Sequence, residues 1–335
     1  MPTSFSRLRA RGSASNTRPA RTFATRSPAR AGQIALGSIW CIDGLLKLQP
    51  FFFSHFVSGV IDSSAAGQPG FIGQPITWIG NLIRPDQSLF VVLAVLAEVA
   101  IGVGLIAGYK VKAVLALSFA WALNIWLTGE GLGFLLAHQT PNPSVGLLAT
   151  APLYIVAGLL VWPRVAPAGA PASFGLLGER GARLVWAALW LGAAVLWLFS
   201  ENAGAHAVSD LVTGAPSGAG WLTTLHADTA RMVGGSGATV AVVLAVISAE
   251  IGLSVLFRRG ARVALISAIA LSLIFWVLPE GLAGLFTGQA TDVGANPLMI
   301  LIAALLLPLA PHPAPAPRPT QLQMVPARES QTDAA

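Results

Sequence analysis

Apolar residues in this chain gather into eight long stretches rather than the short alternating runs of a soluble fold. The stretches cover about 33–49, 88–108, 112–130, 145–162, 184–200, 237–257, 263–280 and 297–310. At about 1.5 Å of rise per residue, each crosses or nearly crosses the ~30 Å hydrocarbon core of a bilayer as a helix. Gly, Ser and Ala recur within them, which predicts close helix packing and some tilt. The pattern predicts an all-α membrane protein with eight transmembrane helices.

The polar positions within these stretches recur at a nearly fixed offset. IWLTGEGLGFL at 125–135 aligns with FWVLPEGLAGL at 275–285, so Trp126 and Trp276, Glu130 and Glu280, and Gly131 and Gly281 each differ by 150. Trp40 and Trp190 differ by the same amount, and Glu98 aligns with Glu250 at 152. The chain therefore divides into a first four-helix unit at 33–162 and a second, degenerate unit at 184–310, joined by a linker at 163–183. An even number of spans per unit makes the repeats parallel, related by an axis along the membrane normal. The Arg- and Ser-rich residues 1–32 and the Pro-rich residues 311–335 read as disordered cytoplasmic tails.

Composition agrees: 54% of the 335 residues are hydrophobic and only 10% charged, which excludes a soluble enzyme. The net charge of +6 does not mark a nucleic-acid surface, because the basic residues are dispersed between apolar stretches. All but Lys47, Arg84 and Arg231 of the 20 Lys and Arg residues fall on one side of the predicted topology, which places both termini in the cytoplasm. A transit peptide shares the composition of the first 32 residues. The Ala, Arg and Gly bias of the whole chain favours a bacterial inner-membrane protein with a basic arm against anionic lipid. A single cysteine, Cys41, excludes an intrachain disulfide and Cys-rich zinc or iron–sulfur sites. No HxxxH, HxxE or CxxC spacing, phosphate-binding loop or nucleophile elbow occurs, so neither a metal nor a nucleotide is expected.

Ionisable groups in membrane helices are costly, which makes a few acids conspicuous. Glu98 and Glu250 sit within spans and read either as a proton relay or as neutral carboxyls gluing helices together. Glu130 and Glu280 end their spans in Trp-x3-Glu-Gly, with Trp126 and Trp276 one turn below on the same face. An indole beside a carboxyl suits a quinone headgroup, since the ring stacks while the acid handles protons; an interfacial Trp belt with a solvated acid is the plainer alternative. Gly131 and Gly281 predict backbone that leaves the helix and admits a ligand or loop. Asp43 and Lys47 stand at i, i+4 in the order that favours an ion pair, with Ala193 and Trp197 in their places 150 residues on. Lys47 is otherwise expected to answer Glu130 or Glu98. The stretch 284–298, with Asp292 and Asn296, reads as a polar turn-rich loop, and its counterpart AHQTPNPSVGLL holds His138.

In IWCIDGLLKLQP, AEVAIGVGLIAG, IWLTGEGLG and LPEGLAGLFTGQATD the chain resembles the DoxX/DoxD family of small four-helix membrane proteins, over about 33–310. That resemblance implies a quinone-linked membrane role, since DoxD-type members are described as the membrane subunit of a thiosulfate:quinone oxidoreductase. The chain departs from the family in being a tandem fusion with one copy lacking the Asp/Lys pair. The expectation is the membrane subunit of a quinone-linked redox system. Its outer-leaflet pocket would be lined by Trp126, Glu130, Asp43 and Lys47, with Trp276 and Glu280 equivalent in the second unit, quinone as substrate and electrons from a partner subunit on the outer face. A proton-coupled transporter would instead place Glu98 and Glu250 on one shared cavity. A scaffold or assembly factor would recruit a partner through the outer segments 50–87 and 201–236.

Overall fold

The computed structural model describes residues 27–137, 140–164 and 174–309. His138, most of both expected tails and part of the linker lie outside them. Among the described residues every regular element is helical and no strand occurs. The first half contains α1 (Pro28–Leu46), α2 (Pro50–Phe56), α3 (Asp62–Ala65), α4 (Gly70–Ile83), α5 (Gln87–Ala107), α6 (Val111–Thr128) and α7 (Ala151–Leu160). The second contains α8 (Gly178–Trp197), α9 (Ala207–Thr213), α10 (Gly220–Val233), α11 (Gly237–Leu256), α12 (Ala261–Val277) and α13 (Ala295–Leu306).

Three segments are long and apolar enough to cross a membrane: Gly70–Ala107, Val111–Thr128 and Gly220–Leu256. Their outward faces carry Leu93, Leu96, Val243 and Val246, each about half exposed, which is the surface of a membrane-embedded protein. The remaining expected spans correspond to helices that are shorter or that begin in polar sequence. α1 and α8 start in polar sequence with Arg30 and with Glu179, Arg180 and Arg183, while α7, α12 and α13 are shorter apolar helices. α7 has 10 residues where 145–162 was expected, because 145–150 stays non-helical, with Gly146 and Ala149 both at positive φ. A helix this short fits because its neighbours cover it: Leu153, Tyr154 and Ala157 are buried among α1, α6, α8 and α13.

Two boundaries also move. α1 begins at Pro28 rather than 33, since Ser27 accepts the Arg30 N–H at 3.3 Å and Pro occupies the first helical position. α8 begins at Gly178, inside the expected linker. Basic residues near these starts cap other helices. Arg30 donates to the Leu105 and Ile106 carbonyls at 2.7 and 2.5 Å, ending α5, and Arg183 donates to Val255 O at 2.6 Å, ending α11.

The main core joins both halves, running from Leu36, Trp40 and Leu105 through Leu153 and Tyr154 to Trp186, Trp190, Leu298 and Ile302. α1 packs along α5 and α8 along α11. The α1–α5 approach depends on Gly37 and Gly102, because a Cβ on Gly102 would lie 2.6 Å from the Gly37 carbonyl oxygen. Above this core, α4 lays Ile72, Ile76 and Ile83 on Val57 and Ile61, roofing one end of the first half.

Gly102→Leu should push α1 off α5 and destabilise the protein by about 1–3 kcal/mol through overpacking, whereas Val103→Leu on the exposed face should be neutral. Thermal unfolding in a mild detergent, followed by circular dichroism, compares the two.

Candidate functional site

A cavity of about 280 Å³ opens in the first half, enclosed by α1, α4, α5, α6 and α7 and reached by the 291–292 turn of the second half. Its wall is apolar, including Phe56, Val60, Ile79, Ile83, Phe90 and Ile125. One end is polar, with Asp43, Lys47, Glu98, Asp292 and Tyr154 converging beside Trp40 and Trp121. Phe90 on α5 and Asn124 on α6 line the cavity and are exposed, both far from the turn that connects these helices.

The polar end is a closed hydrogen-bond set. Lys47 Nζ donates to Glu98 Oε2 at 2.8 Å and to the Thr291 carbonyl at 2.6 Å. Trp121 Nε1 donates to the other Glu98 oxygen at 3.1 Å. Tyr154 Oη donates to Asp43 Oδ2, and the Val293 N–H donates to Asp43 Oδ1 at 3.0 Å. The Tyr154 ring packs 4.2 Å from that of Trp40, whose indole N–H donates to Ser118 Oγ at 3.0 Å. Asp43, Lys47, Glu98 and Tyr154 are all under 10% exposed. Removed from water, they persist because each has partners.

Asp43 and Lys47 share this end but do not form the expected i, i+4 ion pair, since no Asp43 bridge occurs among the described residues. Of the two acids expected to meet Lys47, Glu98 does so. The burial at 98 in α5 explains why the pair forms across helices: Glu98 is fully buried and aimed at α1, so the ammonium gains more there than from a same-helix neighbour. Glu250 is exposed on the outside of α11, and Ser248, 150 residues from Glu98, takes the buried position. The alignment at 152 therefore paired residues on different faces, and Glu98 and Glu250 share no cavity.

Glu130 lines the cavity, yet both its oxygens accept the Ala151 N–H at 3.0 Å, which caps α7. Glu280 does the same for α13: its oxygens accept the Ala295 N–H at 2.6 Å, the Asn296 N–H at 3.3 Å and Asn296 Nδ2 at 2.9 Å. An acid at the end of one helix thus satisfies the free N–H groups that start the next. Trp126 is outside the cavity lining, and Trp276 Nε1 donates to the Val293 carbonyl at 2.8 Å, bracing the loop that reaches Asp43. Gly131 and Gly281, at φ 52 and 56, do admit a close approach, but by loops. Gln68 Nε2 donates to Gly131 O at 2.7 Å, and the Pro216 carbonyl lies over Gly281.

Sequence reasoning missed Tyr154 and Trp121, and it placed Thr291 in the polar 284–298 loop without giving it a part in the site. Tyr154 carried a signal, being one of only two tyrosines and lying within an apolar stretch; Thr291 acts through its backbone and carried none. Among the described residues no three of His, Cys, Asp and Glu gather as metal ligands. No family model, curated protein or solved structure matches the chain.

Lys47→Met should destabilise the protein by about 3–5 kcal/mol by leaving Glu98 buried beside only Trp121. Adding Glu98→Leu should recover much of that loss, and a double-mutant cycle on thermal unfolding reads the coupling. Glu280→Ala should cost about 2 kcal/mol, the upper end for a lost helix cap, and Glu130→Ala about 1 kcal/mol.

Proposed function

We propose that the chain is the membrane subunit of a quinone-linked redox system, built as a tandem DoxX-like protein of eight transmembrane helices in the bacterial inner membrane. In this reading α1, α5, α6, α8 and α11 span the bilayer as helices, α7, α12 and α13 cross it together with the non-helical segments beside them, both termini are in the cytoplasm, and α2–α4 and α9–α10 lie at the outer face. Parallel repeats are supported by the matched packing of α1 on α5 and α8 on α11, and by the matched caps from Glu130 and Glu280. The turns after these acids match as well, with positive φ at Leu132 and Gly133 and at Leu282 and Ala283.

The observation that carries the reading is the cavity's polarity: a hydrogen-bonding end in the protein and an apolar sleeve whose α5–α6 side includes the exposed Phe90 and Asn124. Its 280 Å³ lies just below the usual small-molecule range of about 300–1,000 Å³, so it takes a headgroup while an isoprenoid tail leaves between α5 and α6. Trp40, Trp121 and Tyr154 offer ring faces to a quinone. Lys47 has a third N–H for a quinone carbonyl oxygen, whereas Tyr154 donates to a quinone only by turning its O–H away from Asp43; Asp43 and Glu98 stand behind these two groups as proton acceptors and sources. Reduction to the quinol takes two electrons, supplied by a partner subunit, and two protons, passed through these pairs. The placement of Glu98 in this cavity and of Glu250 outside it favours this reading over a transporter working through both acids.

The second half keeps the architecture without the chemistry. Ala193, Trp197 and Ser248 replace Asp43, Lys47 and Glu98 at the 150 offset. Trp197 is 1% exposed and packs on Phe275 at 5.7 Å between ring centroids, filling the equivalent space. The second unit instead contributes Thr291 and Val293 to the first unit's site.

Titration of a short-chain quinone into the protein in lipid nanodiscs, read by tryptophan quenching, should give saturable binding. Ala94→Trp, which fills the cavity from α5, should weaken it at least about tenfold, and Tyr154→Phe should weaken it by a smaller factor. Glu130→Gln should leave affinity within about twofold, the acid serving as a cap. Non-saturable quenching, or equal affinity in the Ala94→Trp protein, would sink the proposal.

A further inference from the structure

Glu250 lies on a candidate spanning helix and takes no part in the cavity. It is the fourteenth of the 20 residues of α11 and is exposed. Val243, Val246, Ile247 and Leu253, at i−7, i−4, i−3 and i+3, form one stripe with it and are 38–57% exposed. None of the ion pairs among the described residues includes Glu250. The basic residue next along the chain, Arg258, lies about 12 Å further along the helix direction and is bound to Glu179. On α5 the position 150 residues earlier is Ala100, so this acid is not a feature that both helices share.

A carboxyl group facing hydrocarbon is costly and calls for a partner at its own depth. We propose that the exposed stripe of α11 is a homodimer interface, in which the Glu250 carboxyl group of one copy hydrogen-bonds that of a second copy. A two-fold axis along the membrane normal keeps every residue at its own depth, so it sets Glu250 against Glu250. Two carboxyl groups that hold a proton each supply one donor and one acceptor apiece and satisfy each other fully. The one polar side chain next to Glu250 on the stripe is Ser254, half-buried at i+4; the rest are branched aliphatic side chains that interdigitate across a symmetric contact. The proposal rests on α11 lying in the membrane and is independent of quinone binding.

The test uses the full chain in proteoliposomes with Cys41→Ser as background. With Ile247→Cys added, copper-catalysed oxidation should give a disulfide-linked dimer, while Leu96→Cys on the exposed face of α5 should not. Self-association measured by energy transfer on lipid dilution should weaken about three- to tenfold in Glu250→Leu. It should stay within about twofold in Glu250→Gln, whose amide is also both donor and acceptor. Absence of the Ile247→Cys dimer, its cross-linking to a foreign protein instead, parent-like association in Glu250→Leu, or equal loss in Glu250→Gln would each overturn the proposal. Glu250 is exposed, so unchanged thermal unfolding of both variants separates loss of association from misfolding.

Discussion

The Lys47–Glu98 ion pair is the interaction on which the architecture around the cavity turns. It joins α1 to α5 at 2.8 Å, and through the Thr291 carbonyl at 2.6 Å it draws in a loop from the far end of the chain. Buried charges are tolerated only when paired and hydrogen-bonded, and here every member has a second partner: Trp121 for Glu98, Thr291 for Lys47. The Tyr154–Asp43–Val293 set beside it obeys the same rule and ties α7 and the same loop to α1. The two halves of the chain are therefore joined by polar contacts at the cavity as well as by the apolar core.

Absence of water also explains how the acids at the helix ends are used. A helix that starts inside a membrane-embedded protein leaves N–H groups that solvent does not reach. Glu130 and Glu280 fill that role for α7 and α13, and Arg30 and Arg183 fill the opposite one at the carbonyl ends of α5 and α11. Much of the scarce charge in the chain is thus structural. The cavity acids differ in meeting side chains and a ligand-sized space rather than the start of a helix.

The halves differ in a physically consistent way. Where the first keeps ionisable groups around a space, the second places Trp197 against Phe275 and leaves only about 30 Å³ in a neighbouring pocket lined by Pro143–Ala149 of the first half. Each half inserts a loop beside the other, so the second half completes the first half's polar set without having one of its own.

The sequence by itself determined the helical class, the apolar surfaces of α5, α6 and α11 and the short roster of acids worth attention, because hydropathy and charge are local properties of the chain. It also narrowed the partner of Lys47 to Asp43, Glu130 or Glu98, since a cation in an apolar stretch has few acids to choose from, but did not select Glu98 among them. What it left open was direction. Glu98 and Glu250 occupy similar stretches, yet a difference of two residues turns a helical side chain by about 200°, which puts one in the cavity and the other on the outer surface. Only the packed structure decided that Glu130 and Glu280 cap helices, that α7 needs just ten residues within its neighbours, and that a backbone carbonyl at Thr291 completes the site. Those outcomes depend on which helix lies beside which, and contacts between residues up to 250 apart are set by the tertiary arrangement rather than by any local pattern.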